Sequence, residues 1–298
     1  MIKFLGAEYS RGATAKIIDG GPALAPRALQ KMFPNNDWKI ISPEKIDNLD
    51  SITDRFEDAY NMHKKIYANT PNEKHIFIGG DHSVNFSHFA KIADQYPDED
   101  LCLVYFDAHF DIHTPESSRQ EASGAPHGTN VRHLLGEGDR RWLSLQHKKP
   151  ALKPENLFFF GSRSFEPSEI KYVKDQNIFY RVPAQLQNKE DWKNAFKEVR
   201  KHIGNKKFIV SFDFDGIDPK FFKDVWVPEP NGLSMEFAHD FVQEFKDAIN
   251  FEFVEYAVSG DKESANVVKE LIDIVLQKHL INFRISNYVC KYFAPNHR

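Results

Sequence analysis

A chain of 298 residues with 39 Lys and Arg against 43 Asp and Glu has a net charge of −4, which offers neither nucleic acid nor an anionic membrane an electrostatic handle. It is 41% hydrophobic, with 26 Phe, enough to bury one substantial core. No window approaches the ~18 uninterrupted apolar residues of a membrane span. Binding to nucleic acid and insertion into membrane are therefore not expected.

The N-terminal run Met1 to Ala7 meets an acid at Glu8 and lacks the long apolar stretch of a signal peptide, so the chain reads as cytoplasmic. Strands are expected over residues 2–9 and 38–41, followed by a helix over 50–68, where Ile52, Phe56, Tyr60 and Tyr67 recur at roughly helical spacing. Further strands fall at 75–79 and 101–106, the latter holding Cys102 as a core thiol with no CxxC partner in Cys290. The short basic run His147-Lys148-Lys149 beside Pro150 reads as a solvated loop. Strands at 157–161, 178–182, 208–214 and 251–258 alternate with helices at 189–203, 234–249 and 264–280. The central strands are continuous apolar runs, as in a parallel sheet covered on both faces. The expected fold is a single α/β domain over 1–298, a three-layer α-β-α sandwich with a central, mainly parallel sheet.

In such a sheet, sites form beyond the carboxyl ends of the strands. Three strand ends are polar in the same way. Gly79-Gly80-Asp81-His82-Ser83 follows the third strand, Asp107-Ala108-His109-Phe110-Asp111 the fourth, and Ser211-Phe212-Asp213-Phe214-Asp215-Gly216-Ile217-Asp218-Pro219 the seventh. If extension continues past the sheet, alternation brings Asp107, His109 and Asp111 to one side, and likewise Asp213 and Asp215. Each segment alone is an ordinary loop or cap; all three on one rim point to a cation, because converging carboxylates repel without one. Four carboxylates with the imidazoles of His82 and His109 are too many anions for one tetrahedral zinc. They suit two hard divalent ions, manganese best, holding an activated water between them.

These three segments resemble the signature segments of the ureohydrolase family, which contains arginases, agmatinases and formimidoylglutamases. The similarity runs from Gly20-Gly21-Pro22 to the strand ending near Glu255. The resemblance implies an arginase-like fold and hydrolysis of a guanidino or formimino C–N bond by a metal-bound hydroxide. It implies two Mn2+ per chain, one held by His82, Asp107, Asp111 and Asp213, the other by Asp107, His109, Asp213 and Asp215. It also implies self-association as a trimer or hexamer.

The loop Ser123-Gly124-Ala125-Pro126-His127-Gly128 resembles one whose histidine shuttles protons, which points to His127; the alternative is a cap for a helix starting near Gly128. Glu255 aligns with the family glutamate that grips the guanidinium, bidentately by its chemistry. Glu252, three residues earlier on the other strand face, is expected to be solvent-exposed. Ser123 matches a serine that contacts a substrate carboxylate, and Glu166, in Gly161-Ser162-Arg163-Ser164-Phe165-Glu166-Pro167, an acid that binds an α-amino group. His113 and Ala125 stand where arginases carry asparagines; His113 binds a carboxylate if protonated. Glu166 is one methylene longer than the family aspartate. The substrate order is then arginine, formimidoylglutamate, and agmatine or another guanidino acid. Rival classes are a mononuclear zinc deacylase of the same fold, a dinuclear phosphoesterase and a non-catalytic binding protein.

Overall fold

The computed structural model describes residues 2–13 and 20–276. Eight parallel strands form one sheet in the order β2-β1-β3-β8-β7-β4-β5-β6. They are β1 (Lys3–Ala7), β2 (Trp38–Ile41), β3 (His75–Ile78), β4 (Cys102–Phe106), β5 (Leu157–Phe160), β6 (Phe179–Arg181), β7 (Phe208–Asp213) and β8 (Asn250–Val254). Each lies where the apolar runs place it, mostly a residue or more shorter. The largest difference is β8, which stops at Val254 rather than 258 because Glu255 turns into the left-handed region at φ 62°.

Helices cover both faces, as the fully buried strands require. On β4, Cys102, Val104 and Phe106 point into one core, shared with α1 (Ala25–Met32), α8 (Lys189–Ile203), α9 (Met235–Phe245) and α10 (Lys262–Val275). That core is built largely of aromatic rings, with Phe106 stacked on Phe212 at 4.2 Å and Phe160, Phe196, Phe237, Phe241 and Phe245 around them. Leu103 and Tyr105 point the other way, towards α2 (Arg55–Asn69), α3 (Asn85–Gln95) and α5 (Asn130–Leu134). Caps set the helix starts: Asp54 accepts from Phe56 and Glu57 N–H, Asn188 from Glu190 and Asp191, and Ser234 from Phe237. The last described helix begins two residues before the expected 264, because Asp261 rather than Ser264 is its cap; positions 277–280 and Cys290 lie outside the described residues.

One expectation is overturned. Glu252 is not solvent-exposed but 1% accessible, buried between β8 and α3 with Asn85 and His88. The face opposite a buried face is open to water only in a one-sided sheet, and this sheet is covered twice.

Strand order positions the site. β3, β8, β7 and β4 are consecutive neighbours in the middle of the sheet, and the chain crosses from one half to the other between β3 and β4. The crevice outside the carboxyl ends at such a crossing is where α/β sheets bind ligands.

Candidate metal centre

After β3 the chain turns sharply at Gly80, where a Cβ would lie 1.8 Å from the Tyr9 carbonyl oxygen. Glycine lets Asp81 N–H donate to that oxygen (2.8 Å), while Gly80 O accepts from Glu255 N–H (2.8 Å). Asp81 caps the short turn His82–Val84 through Ser83 N–H and also accepts from Ala13 N–H at 3.0 Å. Its role is to aim His82.

Asp107 follows β4 directly, but extension does not continue to Asp111 as alternation assumed. The backbone curls, and Asp111 enters the rim in a left-handed conformation at φ 50°. Left-handed backbone in a non-glycine residue costs roughly 1–3 kcal/mol and gathers at functional sites. Asp111 and Glu255 are two of the four such residues among those described. Asp213 ends β7 and caps the turn Phe214–Gly216 through Asp215 N–H (2.8 Å), which brings Asp215 beside Asp213 where Ala108 N–H holds it at 3.1 Å.

The structure brings all six residues together. His82 Nδ1 lies 2.8 Å from Asp107 Oδ2, 3.0 Å from Asp213 Oδ2 and 3.2 Å from Asp111 Oδ2. His109 Nδ1 lies 3.3 Å from Asp107 Oδ1 and 3.2 Å from Asp215 Oδ2. Two groups with metal-ligand spacing result, and Asp107 belongs to both, one oxygen facing each.

The residues fit divalent cations on physical grounds. A single ring nitrogen cannot serve three carboxylate oxygens, and Asp107 Oδ2 is buried without a well-formed hydrogen bond. The four carboxylates are at most 4% accessible. Burial and then mutual repulsion push Asp213 well above the usual carboxylate range and raise Asp215 too. Burial and the neighbouring Asp107 lift Asp111 to about 7. Burial alone would discharge His82 and His109, yet the surrounding carboxylates hold both well above the ordinary imidazole range. Such a cluster gathers protons to offset its charge, and a cation would replace them.

Three residues that support the cluster were missed by the motif reading. Tyr105 hydroxyl donates to Asp111 Oδ2 (2.9 Å), Asn130 amide donates to the same oxygen (3.0 Å), and Ser211 Oγ lies 2.8 Å from His82 Nε2. Tyr105 and Ser211 stand two residues before Asp107 and Asp213, so period-two alternation carried the signal. Asn130 arrives on a separate helix and left none.

Around the cluster lie the other candidates. His127 sits in the turn Pro126–Thr129, where its N–H (3.3 Å) and ring Nδ1 (3.2 Å) both meet Gly12 O; it caps no helix. Burial first, then the nearby cationic groups of His109, Arg55 and His82, push its pKa down to about 4. Glu255 is buried, accepts from His82 N–H at 2.9 Å, and is raised well above the usual range by burial, Asp81 and Asp215. Further out, Glu166 precedes α7 (Pro167–Asp175) and pairs with His113 Nε2 at 3.0 Å. His113 is 3% accessible, with Ser117 Oγ at 2.9 Å from its Nδ1 and Glu169 at 3.6 Å from its Nε2. Ser123 is exposed beyond α4 (Pro115–Glu121) and accepts from Ala125 N–H at 3.2 Å.

A sequence profile described as the arginase family matches residues 5–277. The chain belongs to the arginase family. It is thus a ureohydrolase, a hydrolase acting on C–N bonds. An arginase of Bacillus subtilis (strain 168) is 27% identical over 255 residues, 84% of this chain and 83% of its own. An Entamoeba histolytica arginase is 33% identical over 207 residues, 65% of this chain and 66% of its own. In fold, the chain is similar to the Entamoeba histolytica arginase solved in complex with L-ornithine (TM-score 0.79, 24% identity, 93% of this chain and 98% of that one). It is also similar to a formimidoylglutamase from Bacillus subtilis (TM-score 0.71, 17% identity, 92% and 85%). Among the described residues no helix is long and apolar enough to cross a membrane.

Proposed function

We propose that this ureohydrolase is a manganese-dependent arginase with two cations per chain, converting L-arginine and water to L-ornithine and urea. The observation that carries the reading is Asp107, whose two oxygens face two separate His-and-carboxylate groups at ion-pair distance. One cation would be held by His82, Asp107, Asp111 and Asp213, the other by Asp107, His109, Asp213 and Asp215. The oxygen-rich set with two imidazoles favours manganese. When bound, such a pair supplies a water activated for attack near neutral pH.

The remaining chemistry belongs to side chains. Glu255 is a buried carboxylate crowded by Asp81 and Asp215, so a planar guanidinium bringing charge and paired donors is a favourable partner. His82 N–H anchors one of its oxygens, which keeps the carboxylate from swinging and fixes the substrate carbon over the cluster. His127 donates Nδ1–H to Gly12 O, leaving Nε2 as the free base. Neutral at pH 7, that nitrogen takes up a proton and returns it to the departing amine. Glu166 receives the α-ammonium, and Ser123 the carboxylate, at the rim.

Arginine is favoured over formimidoylglutamate by His113. Both its ring nitrogens are engaged, by Ser117 and Glu166, and it is buried, so it steadies Glu166 instead of offering a donor to a second carboxylate. The enzyme is further proposed to be cytoplasmic and to self-associate as a trimer or hexamer, as its family resemblance implies.

The test is product analysis on manganese-saturated protein with arginine, agmatine and formimidoylglutamate, beside a cation count. Urea with ornithine, fastest from arginine, and two cations per chain are expected. Formamide from formimidoylglutamate as the main product would move the substrate; a single tightly bound zinc would overturn the two-manganese reading.

A further inference from the structure

A chain of buried polar side chains leaves the cluster from the back of His82 and runs under α3 towards the opposite end of the sheet. Ser211 Oγ is 2.8 Å from His82 Nε2 and 2.8 Å from Asn85 Nδ2. The same Asn85 nitrogen donates to Glu252 Oε2 at 2.8 Å, tying that oxygen to Ser211 Oγ, and Ser211 and Glu252 are partners in the β7–β8 ladder. Glu252 Oε1 meets His88 Nδ1 at 2.5 Å, and His88 Nε2 meets His75 Nε2 at 2.7 Å, with the Asn250 amide on His75. Every member is at most 5% accessible. The proposed catalytic roles use none of them.

We propose that Glu252 is a positioning residue that selects the tautomer of His82, an inference that rests on the two-cation reading above. The argument follows donors and acceptors along the chain. Asn85 Nδ2 can only donate, so Ser211 Oγ accepts from it. Glu252, its ladder neighbour sharing the same Asn85 donor, is the carboxylate beside that hydroxyl, and the Ser211 proton is assigned to it. Ser211 Oγ then has only a lone pair left for His82, and Nε2 must carry the proton. In the singly protonated ring that a cation binds, the lone pair of His82 is therefore on Nδ1, the nitrogen facing Asp107, Asp111 and Asp213. Without an acceptor at position 252 the hydroxyl turns round and donates to Nε2. The proton then sits on Nδ1, among the carboxylates, and competes with the cation.

The sign of the substitution effect separates this role from packing. Gln keeps an oxygen for Ser211 and Asn85 and offers its amide N–H to His88 Nδ1, so Glu252→Gln preserves the hydrogen-bond direction. Leu fills the volume but removes the acceptor. Manganese titration of the metal-free parent and both variants, read by the electron-spin-resonance signal of the coupled manganese pair, is the experiment. Glu252→Leu is expected to need about 10–100-fold more manganese for the pair signal, whereas Glu252→Gln stays within a few-fold of the parent. A folded Leu variant that forms the pair at the parent's concentration, or a Gln variant as impaired as Leu, would overturn the inference. If the Leu variant does not fold, Glu252→Met, which also lacks a strong acceptor but keeps the length and flexibility of the parent side chain, takes its place with the same expected shift, and a Met variant that forms the pair at the parent's concentration would overturn the proposal. A parent that shows no pair signal at all, with one cation bound, would instead sink the two-cation reading.

Discussion

The acid and imidazole cluster and the outer rim around Glu166 are built from similar residue types, yet the chain constructs them differently. Asp107 and Asp213 leave or end adjacent central strands, are at most 2% accessible, and find few internal donors for the charge they bring together. Glu166, His113 and Ser123 sit on loops or helix starts, and Glu166 and His113 satisfy each other at 3.0 Å. The first region is electrostatically incomplete as a protein and calls for an external cation. The second is nearly self-sufficient, and a substrate has to compete for Glu166. Chemistry is thus fixed by the sheet, and preference is left to segments that can change without disturbing it.

The contrast is tested most severely at Asp213. Asp213→Ala should lower kcat by about 10³-fold or more, since several kcal/mol of charge stabilisation go with a shared ligand. The metal-free variant should nevertheless melt no lower than the metal-free parent, because one of four repelling carboxylates is gone. Retained activity, or a collapse of the fold, would break the distinction. His127→Asn should cost about 10²-fold in kcat with KM little changed, the scale of general acid–base assistance; an unchanged kcat would remove His127 from the chemistry. On the rim, Glu166→Gln should raise KM for arginine about 10–100-fold while kcat holds, as for loss of one charge-assisted hydrogen bond. A loss in kcat instead would mean that the rim takes part in the reaction.

A further prediction, read in stability and not in turnover, concerns Glu252, raised from its usual value near 4.5 to about 8 by burial. A group whose folded-state value is raised contributes stability that is complete below the unfolded value and drains away as pH climbs towards 8. The unfolding free energy of the metal-free parent, from urea titrations, should therefore fall between pH 5 and pH 8, by at most ~1.4 kcal/mol per pH unit from this group. Glu252→Gln should flatten that part of the slope. Parallel slopes in parent and variant would refute the assignment.

The same contrast explains what could be read from the chain alone. The central strands were legible because a sheet covered on both faces demands unbroken apolar runs, such as Leu101 to Phe106, and the polar residues that halt them stand out, whereas the partly exposed edge strands β2 and β6 carry Lys39 and Arg181 and gave a weaker pattern. The cluster inherited that clarity. Its geometry did not: alternation put Asp111 on an extended strand, whereas a left-handed backbone delivers it. Glu252 was misplaced because alternation says which face a residue takes and nothing about what covers that face. Asn130 and the His113–Glu166 pair gave no periodic signal, since loops and separate helices meet only in three dimensions.

The grip of Gly12 on His127 has a practical consequence for anyone dissecting the enzyme. The acceptor is a main-chain carbonyl, which no side-chain replacement deletes, yet a Cβ at Gly12 would lie 2.4 Å from Ser83 Oγ and 2.7 Å from Asp81 Oδ1, so Gly12→Ala would shift the loop that holds His127 for its proposed acid–base role. Its influence would also surface when the N-terminal loop is lengthened, shortened or given an ester in place of the peptide link. Asp81 pins that same loop through Ala13, so apparently remote changes there would register as altered proton transfer.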